Sequence, residues 1–321
     1  MSLRVLLSAP YMIPVFDRFR ALFEEAGIEV VIAEVEERLS ADELLQYAGE
    51  IDGSICGDDQ FSERVLDAFA PRLKIISKWG TGIDSIDQAT AKELEVRVAN
   101  TPGAFTDPVA DSVLGYMLAF ARRNLWLDKA MKSGEWEKIP GQALQECTLG
   151  VIGVGRIGKA VLRRAAPFGV RLLGNDIVEI GEDFLQEIEV AMVSLEDLLA
   201  QSDYVSLNCD LNKTSHHLIN DATIRFMKAE AVLINTARGP VVQEAALIRA
   251  LEDGGIAGAA LDVFEEEPLP GNSPLRKMDH VLLAPHNANS SPGAWERVHW
   301  NTIRNLFGGL GLQFPEDKAG R

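Results

Sequence analysis

The 321-residue sequence contains no uninterrupted apolar run of about 18 residues, the minimum for a membrane-spanning helix, so an integral helical membrane protein is excluded. Its first residues, MSLRVLLSAPYMIP, meet Pro10 and Pro14 too early to serve as a secretory signal, and no such segment is expected. Cysteine is scarce. Cys56, Cys147 and Cys209 are odd in number, far apart and beside no metal-ligand spacing, which argues against a disulfide frame and a metal site and fits a reducing, cytoplasmic location. Basic residues are also in short supply, with 31 Lys and Arg against 48 Asp and Glu and a formal charge of −17. Such a balance opposes binding to nucleic acid or to an anionic membrane surface, so neither partner is expected. It also sets a condition: an anionic ligand needs a local concentration of Arg, Lys or helix N-termini.

What is present is an apolar fraction of 47 %, enough for two cores of ordinary size. In the first hundred residues RVLLSA, IEVVIA, IDGSIC, LKIIS and VRVA alternate with stretches of helical period, which predicts five strands of a parallel sheet. The alternation restarts at residue 149 with LGVIG, VRLLG, DYVSLN, AVLIN, IAGAALDVF and HVLLA, predicting a second doubly wound sheet. Between them, TDPVADSVLGYMLAFARRNLW predicts one long helix over 107–126, with Asp107 as N-cap, Pro108 at the first position, and Val109, Val113, Met117, Phe120 and Leu125 near one face. A last helix carries Trp295, Val298, Thr302 and Leu306 at helical spacing and is expected to close at Gly308 and Gly309.

Gly153, Gly155 and Gly158 in LGVIGVGRIG follow a strand and open a helix. The first glycine permits a tight turn, the second lets the backbone approach a diphosphate, and the third allows helix and strand to pack closely. N–H groups at the helix start then face the anion. Asp176 ends the next strand, 23 residues beyond Gly153, where a carboxylate accepts hydrogen bonds from both ribose hydroxyls of the adenosine and repels a 2′-phosphate. The expected cofactor is therefore NAD rather than NADP.

Three further segments, LINTARGPVV, ALDVFEEEPLP and LLAPHNA, each place a polar group just past an apolar strand, where ligands gather in open parallel sheets. They supply Arg238, Glu267 and His286. For a 2-oxo or 2-hydroxy acid, Arg238 can hold the carboxylate and polarise the C2 oxygen. His286 can exchange the hydroxyl proton, and Glu267, bonded to the other ring nitrogen, can orient the imidazole and favour its charged form.

These motifs, together with KWGTGIDSID (78–87), NTPGAFTDPVADSVLGYML (100–118) and VSLNCDLNKTSHHLI (205–219), resemble the D-isomer-specific 2-hydroxyacid dehydrogenase family over almost the whole chain. The resemblance implies an α/β architecture of two doubly wound parallel-sheet domains. A Rossmann dinucleotide domain (101–289) is inserted into a flavodoxin-like substrate domain (1–100 and 290–321), and the cleft between them holds substrate. It implies an NAD-dependent enzyme interconverting a D-2-hydroxy acid and its 2-oxo acid, D-3-phosphoglycerate being one candidate, in a homodimer formed through the cofactor domain. Arg238, Glu267 and His286 become the catalytic set. Asp262 becomes the partner of the nicotinamide carboxamide, and Arg156 and Ile157 in the glycine turn join Gly153, Gly155, Gly158 and Asp176 at the coenzyme. The turn at Gly80, Thr81 and Gly82 offers amides to the substrate carboxylate, with Lys78 and Arg238 beside it.

The stretch HNANSSPGAW departs from the small residues common after the family's histidine, and Gln243 stands where aspartate is frequent. The chain is expected to lack the C-terminal regulatory domain of some phosphoglycerate dehydrogenases. His216 and His217, like His280 and His299, carry no expected role. Asp84 and Asp87 read as helix capping rather than a metal pair. Glu265 and Glu266 are expected to be solvated, and the tryptophans to serve packing or interfaces, with Trp136 the candidate for an aromatic offered by a partner subunit. Two alternatives stay open: an NAD(H)-sensing protein of corepressor type, and a dehydrogenase of an unusual substrate such as phosphite.

Overall fold

The computed structural model describes residues 2–315. The described residues fall into two compact units, one within Met1–Phe105 and Ser291–Arg321, the other Thr106–Ser290. In the first, β1 (Leu3–Leu7), β2 (Ile28–Ile32), β3 (Gly53–Cys56), β4 (Ile75–Lys78) and β5 (Arg97–Ala99) form an all-parallel sheet in the order β2-β1-β3-β4-β5. These are the five strands expected from the apolar runs. β3 and β4 are buried along their whole length, as strands covered on both faces must be.

Helices α1 (Arg20–Glu25), α2 (Ala41–Leu44), α3 (Glu63–Phe69) and α4 (Gln88–Glu93) connect the strands. Asp87 caps α4 by accepting from the amides of Ala89 and Thr90 at 3.1 and 3.0 Å, the role its sequence context indicated. The closing helix, Pro292–Gly309, returns to this sheet, where the Ser77 hydroxyl donates to the Thr302 carbonyl at 2.8 Å. Gly308 and Gly309 are the last two residues of that helix, where it was expected to close. A Cβ on Gly309 would lie 2.5 Å from the Ile75 side chain, so this glycine serves close packing on β4. The left-handed position that terminates the helix falls to Gly311, at φ +73°.

In the second unit, β6 (Thr148–Ile152), β7 (Arg171–Asn175), β8 (Ala191–Met192), β9 (Tyr204–Leu207), β10 (Val232–Asn235), β11 (Gly258–Leu261) and β12 (Val281–Leu283) build a parallel sheet in the order β12-β11-β10-β9-β6-β7-β8. Six were expected. The seventh, β8, is a two-residue edge strand, too short to leave an apolar pattern. The sheet reverses direction between β6 and β9, the switch point at which such folds bind ligands.

The helix expected over 107–126 is two: α5 (Thr106–Arg122) and α6 (Asn124–Lys132), broken at Arg123 with φ +55°. Asp107 lies inside the first turn of α5 rather than capping it. The break aims the Arg123 guanidinium at the Trp126 ring, 5.1 Å from which lies the Phe120 ring. Leu125 is consequently exposed instead of continuing the buried face. Helices α7 (Arg156–Ala165), α8 (Glu182–Ile188), α9 (Leu195–Gln201) and α10 (Glu244–Glu252) complete the unit. Among the described residues no helix is long and apolar enough to cross a membrane.

Candidate active site

β6 delivers the chain into the glycine turn at the switch point. Gly153 sits at φ +87°, and a Cβ there would lie 2.6 Å from the Cys209 amide nitrogen, so no side chain fits. A Cβ on Gly158 would run into the Gly153 carbonyl oxygen, the close approach that seats α7 over the turn. Gly155 differs: no protein atom lies within 4 Å of its Cβ position, which leaves the backbone at the start of α7 open to a ligand. Arg156 and Ile157 begin that helix. Asp176, just past β7, accepts from the Val154 amide at 2.7 Å and the Val178 amide at 3.0 Å, so its carboxylate is held beside the turn. Two buried polar atoms along this edge, Asn208 Oδ1 and Thr236 Oγ1, have no protein partner. An open glycine cradle, a helix N-terminus, a carboxylate at the second strand end and unpaired buried oxygens fit a dinucleotide.

At the same sheet edge, the segments after β10, β11 and β12 bring three of the expected side chains together or onto adjoining loops. His286 Nδ1 lies 3.1 Å from Glu267 Oε2, with the side chains 20 % and 17 % exposed. The second oxygen of Glu267 accepts from the Phe264 amide at 3.0 Å, which fixes the carboxylate toward the ring. His286 itself adopts φ +50°, and its amide donates to the Asp262 carbonyl at 2.7 Å.

Asp262 is almost fully buried, and its two oxygens accept from the amides of Asn287 and Ala288 at 2.7 and 2.9 Å. Burial raises its carboxyl above the ordinary range, with the two amides and His286 acting in the other direction. In this geometry Asp262 anchors the loop that carries His286. Arg238 follows β10, with its Nη1 donating to the Ala237 carbonyl at 3.0 Å.

Sequence reasoning missed the residues that join these loops. Asn235, buried at the end of β10, accepts from the Ala237 amide at 3.1 Å and donates to the Arg238 carbonyl at 3.0 Å, shaping the arginine turn. An asparagine ending an apolar strand was the available signal. Gly239 is pressed against the next loop: a Cβ would lie 2.5 Å from the Glu265 nitrogen and closer still to the Phe264 carbonyl. Glu265 is exposed, as expected, with its Oε1 2.6 Å from His217 Nε2, while the His217 amide donates to the Pro240 carbonyl at 2.8 Å.

The first unit holds the remaining expected residues. Lys78 ends β4, buried, and pairs with Asp58 at 2.9 Å. In the turn that follows, the Gly80 carbonyl accepts from both the amide and the hydroxyl of Thr101 at 2.9 Å, and the Thr81 carbonyl accepts from Asn100 at 2.5 Å. Thus the carbonyls of Gly80 and Thr81 are turned toward residues 100 and 101, while among the described hydrogen bonds none uses the amides of Gly80, Thr81 or Gly82. Trp79 packs with Tyr11, Trp295 and Phe105 at centroid distances of 5.3, 5.8 and 5.7 Å.

Comparison with known proteins agrees with this geometry. Residues 114–288 match the family described as "D-isomer specific 2-hydroxyacid dehydrogenase, NAD binding domain". The chain is 42 % identical over 283 residues to a glyoxylate reductase of Thermofilum pendens, covering 86 % of this chain and 83 % of that protein. Among solved structures, D-lactate dehydrogenase from Aquifex aeolicus, complexed with NAD and lactic acid, matches with a TM-score of 0.84 and 28 % identity over 99 % of both chains. A glyoxylate reductase from Paecilomyes thermophila matches with a TM-score of 0.79 and 27 % identity over 99 % of both chains. The protein belongs to the D-isomer-specific 2-hydroxyacid dehydrogenase family, and it is an NAD-dependent oxidoreductase.

Proposed function

We propose that the protein reduces glyoxylate and similarly small 2-oxo acids to the corresponding 2-hydroxy acids with NADH. The observation that carries the reading is the His286–Glu267 pair at 3.1 Å beside the arginine turn, in a chain sharing 42 % identity with a glyoxylate reductase. The aromatic packing around Trp79, next to the Gly80 turn, favours a substrate with little beyond C2.

The residues proposed to hold the dinucleotide are Gly153, Gly155, Arg156, Ile157 and Gly158 at the diphosphate and Asp176 at the ribose. When bound, the coenzyme supplies hydride to substrate C2. Arg238 polarises the C2 carbonyl and stabilises the charge that develops on its oxygen. His286 delivers the proton to that oxygen through Nε2, since Nδ1 is turned to Glu267, which keeps the ring oriented and offsets its positive charge. The amides of Gly80, Thr81 and Gly82 are proposed to receive the substrate carboxylate. Asp262 holds the histidine loop in register, whatever contact it makes with the coenzyme.

The reading includes a homodimer. Helix α6 buries none of its residues, and Trp136 in the segment beyond it is 85 % exposed. The test is NADH oxidation with glyoxylate, hydroxypyruvate, pyruvate and bulkier 2-oxo acids, repeated with NADPH. Glyoxylate or hydroxypyruvate should lead and NADH should be preferred. Turnover confined to bulky 2-oxo acids, or a preference for NADPH, would refute the reading.

A further inference from the structure

His217 takes no part in the reaction as described, yet it touches both loops that hold the side chains proposed for catalysis. Its amide donates to the Pro240 carbonyl at 2.8 Å, two residues beyond Arg238. Its ring Nε2 lies 2.6 Å from Glu265 Oε1, two residues before Glu267. A ring nitrogen this close to a carboxylate oxygen carries its proton, so the contact is a hydrogen bond whether the imidazole is neutral or charged.

The residue is held on several sides. Its backbone is left-handed, at φ +51°, a conformation that a residue other than glycine keeps only where its surroundings fix it. Its carbonyl accepts from the Asn220 side chain at 2.8 Å, and the His216 ring stacks on its ring at a centroid distance of 3.9 Å. The following residues continue the seam: the Ile219 amide donates to the Val241 carbonyl at 3.1 Å, and the Gln243 amide to the Ile219 carbonyl at 2.8 Å.

On the glutamate loop, Glu265 stands among other acids. Glu266 follows it, and Glu244, in the first turn of α10, accepts from the Glu265 amide at 3.3 Å. Burial, against that amide, raises the Glu244 carboxyl above the ordinary range, and the charges of Glu265 and Glu266 raise it further. His217 supplies this acidic run with an N–H donor from another segment of the chain. Without that donor, like charges would drive the Glu265 side chain away from Glu244 and toward solvent. Glu267 would move with its loop, because the Phe264 amide holds its Oε1 at 3.0 Å, and its Oε2 would leave its place 3.1 Å from His286 Nδ1.

We propose that His217 and Glu265 are positioning residues: their hydrogen bond latches the glutamate loop to the arginine turn and so fixes Glu267 against His286. The inference rests on the reading of Arg238, Glu267 and His286 as the catalytic set.

The experiment reads kcat, NADH affinity and the pH profile of reduction for the best 2-oxo acid of the panel. His217→Asn keeps a side chain that tolerates the left-handed backbone but is too short to reach Glu265. Glu265→Ala removes the acceptor, and Glu265→Gln keeps one. His217→Asn and Glu265→Ala should each lower kcat about tenfold, with NADH affinity by fluorescence titration staying within about threefold. The double variant should be no slower than the slower single one, since both changes break one contact. A displaced Glu267 favours the charged His286 ring less, so the alkaline limb of kcat/KM should move down by about half a pH unit. Glu265→Gln should restore most of the rate. Folded His217→Asn and Glu265→Ala enzymes with wild-type kcat and an unmoved alkaline limb would overturn the proposal. So would a fall in kcat matched by an equal loss of NADH affinity, the mark of a general loosening of the unit. Should Glu265→Ala not fold, Glu265→Ser carries the same comparison. Wild-type silence on every 2-oxo acid of the panel would instead overturn the reading of the site, and this inference with it.

Discussion

Replacing Gly239 by alanine tests whether the arginine turn and the glutamate loop must stay in contact for catalysis. The added Cβ would lie 2.5 Å from the Glu265 nitrogen and closer to the Phe264 carbonyl, whereas real Cβ contacts are not found below 3.0 Å. The two loops therefore have to separate by about 1 Å, and a misplacement of that size typically costs on the order of 10²-fold in rate. The separation acts on the chemistry through Glu267, whose Oε1 is tied to the Phe264 amide and whose Oε2 orients His286. Overpacking of this kind costs about 1–3 kcal/mol. For a unit of this size that lowers the melting temperature by about 2–12 °C. Gly239 lies after β10, away from the Gly153–Gly158 turn after β6, so NADH affinity, read by fluorescence titration, should stay within about threefold. The assay is steady-state reduction of the best 2-oxo acid. A G239A enzyme that keeps more than about a third of wild-type kcat/KM would refute the claim that this contact sets the catalytic geometry.

His286→Asn should reduce kcat by about 10²- to 10⁴-fold while NADH still binds, and near-normal turnover would remove His286 from proton transfer. A third expectation concerns acid stability of the first unit. His299 is buried, accepts from the Trp79 indole N–H at 3.0 Å, and is held below the ordinary histidine value, by burial first and by Arg18, against Glu296. A base whose folded value is depressed contributes stability that is present above its unfolded value and lost as pH falls through the folded one. Thermal melts followed by tryptophan fluorescence should therefore show stability declining below about pH 6.5, the ordinary histidine value. His299→Asn, which keeps an acceptor for Trp79, should flatten the decline, and identical slopes for the two proteins would exclude His299 as its source.

Local chemistry alone determined much of this molecule. Short apolar runs mark the strands without reference to distant contacts, and eleven of the twelve strands among the described residues are legible as such runs. The glycine turn is legible because positive φ at Gly153 and close packing at Gly158 admit no side chain. Arg238, Glu267 and His286 could be picked out because each follows an apolar strand. The break at Arg123 was not visible, since the residues on either side keep helical spacing while a ring contact with Trp126 and the burial of Phe120 decide the direction of the chain.

Tertiary structure alone decided what the charged and small residues do. The sequence shows Lys78 as a cation and Asp58 as one acid among many; only the ends of neighbouring strands bring them within 2.9 Å. Glycines look alike in sequence, yet Gly309 exists for Ile75, Gly239 for the Phe264 carbonyl, and Gly311 for a left-handed turn. The reason is physical: a backbone pattern depends on neighbours a few residues away, whereas ion pairing and exclusion of a methyl group depend on atoms brought together from distant parts of the chain.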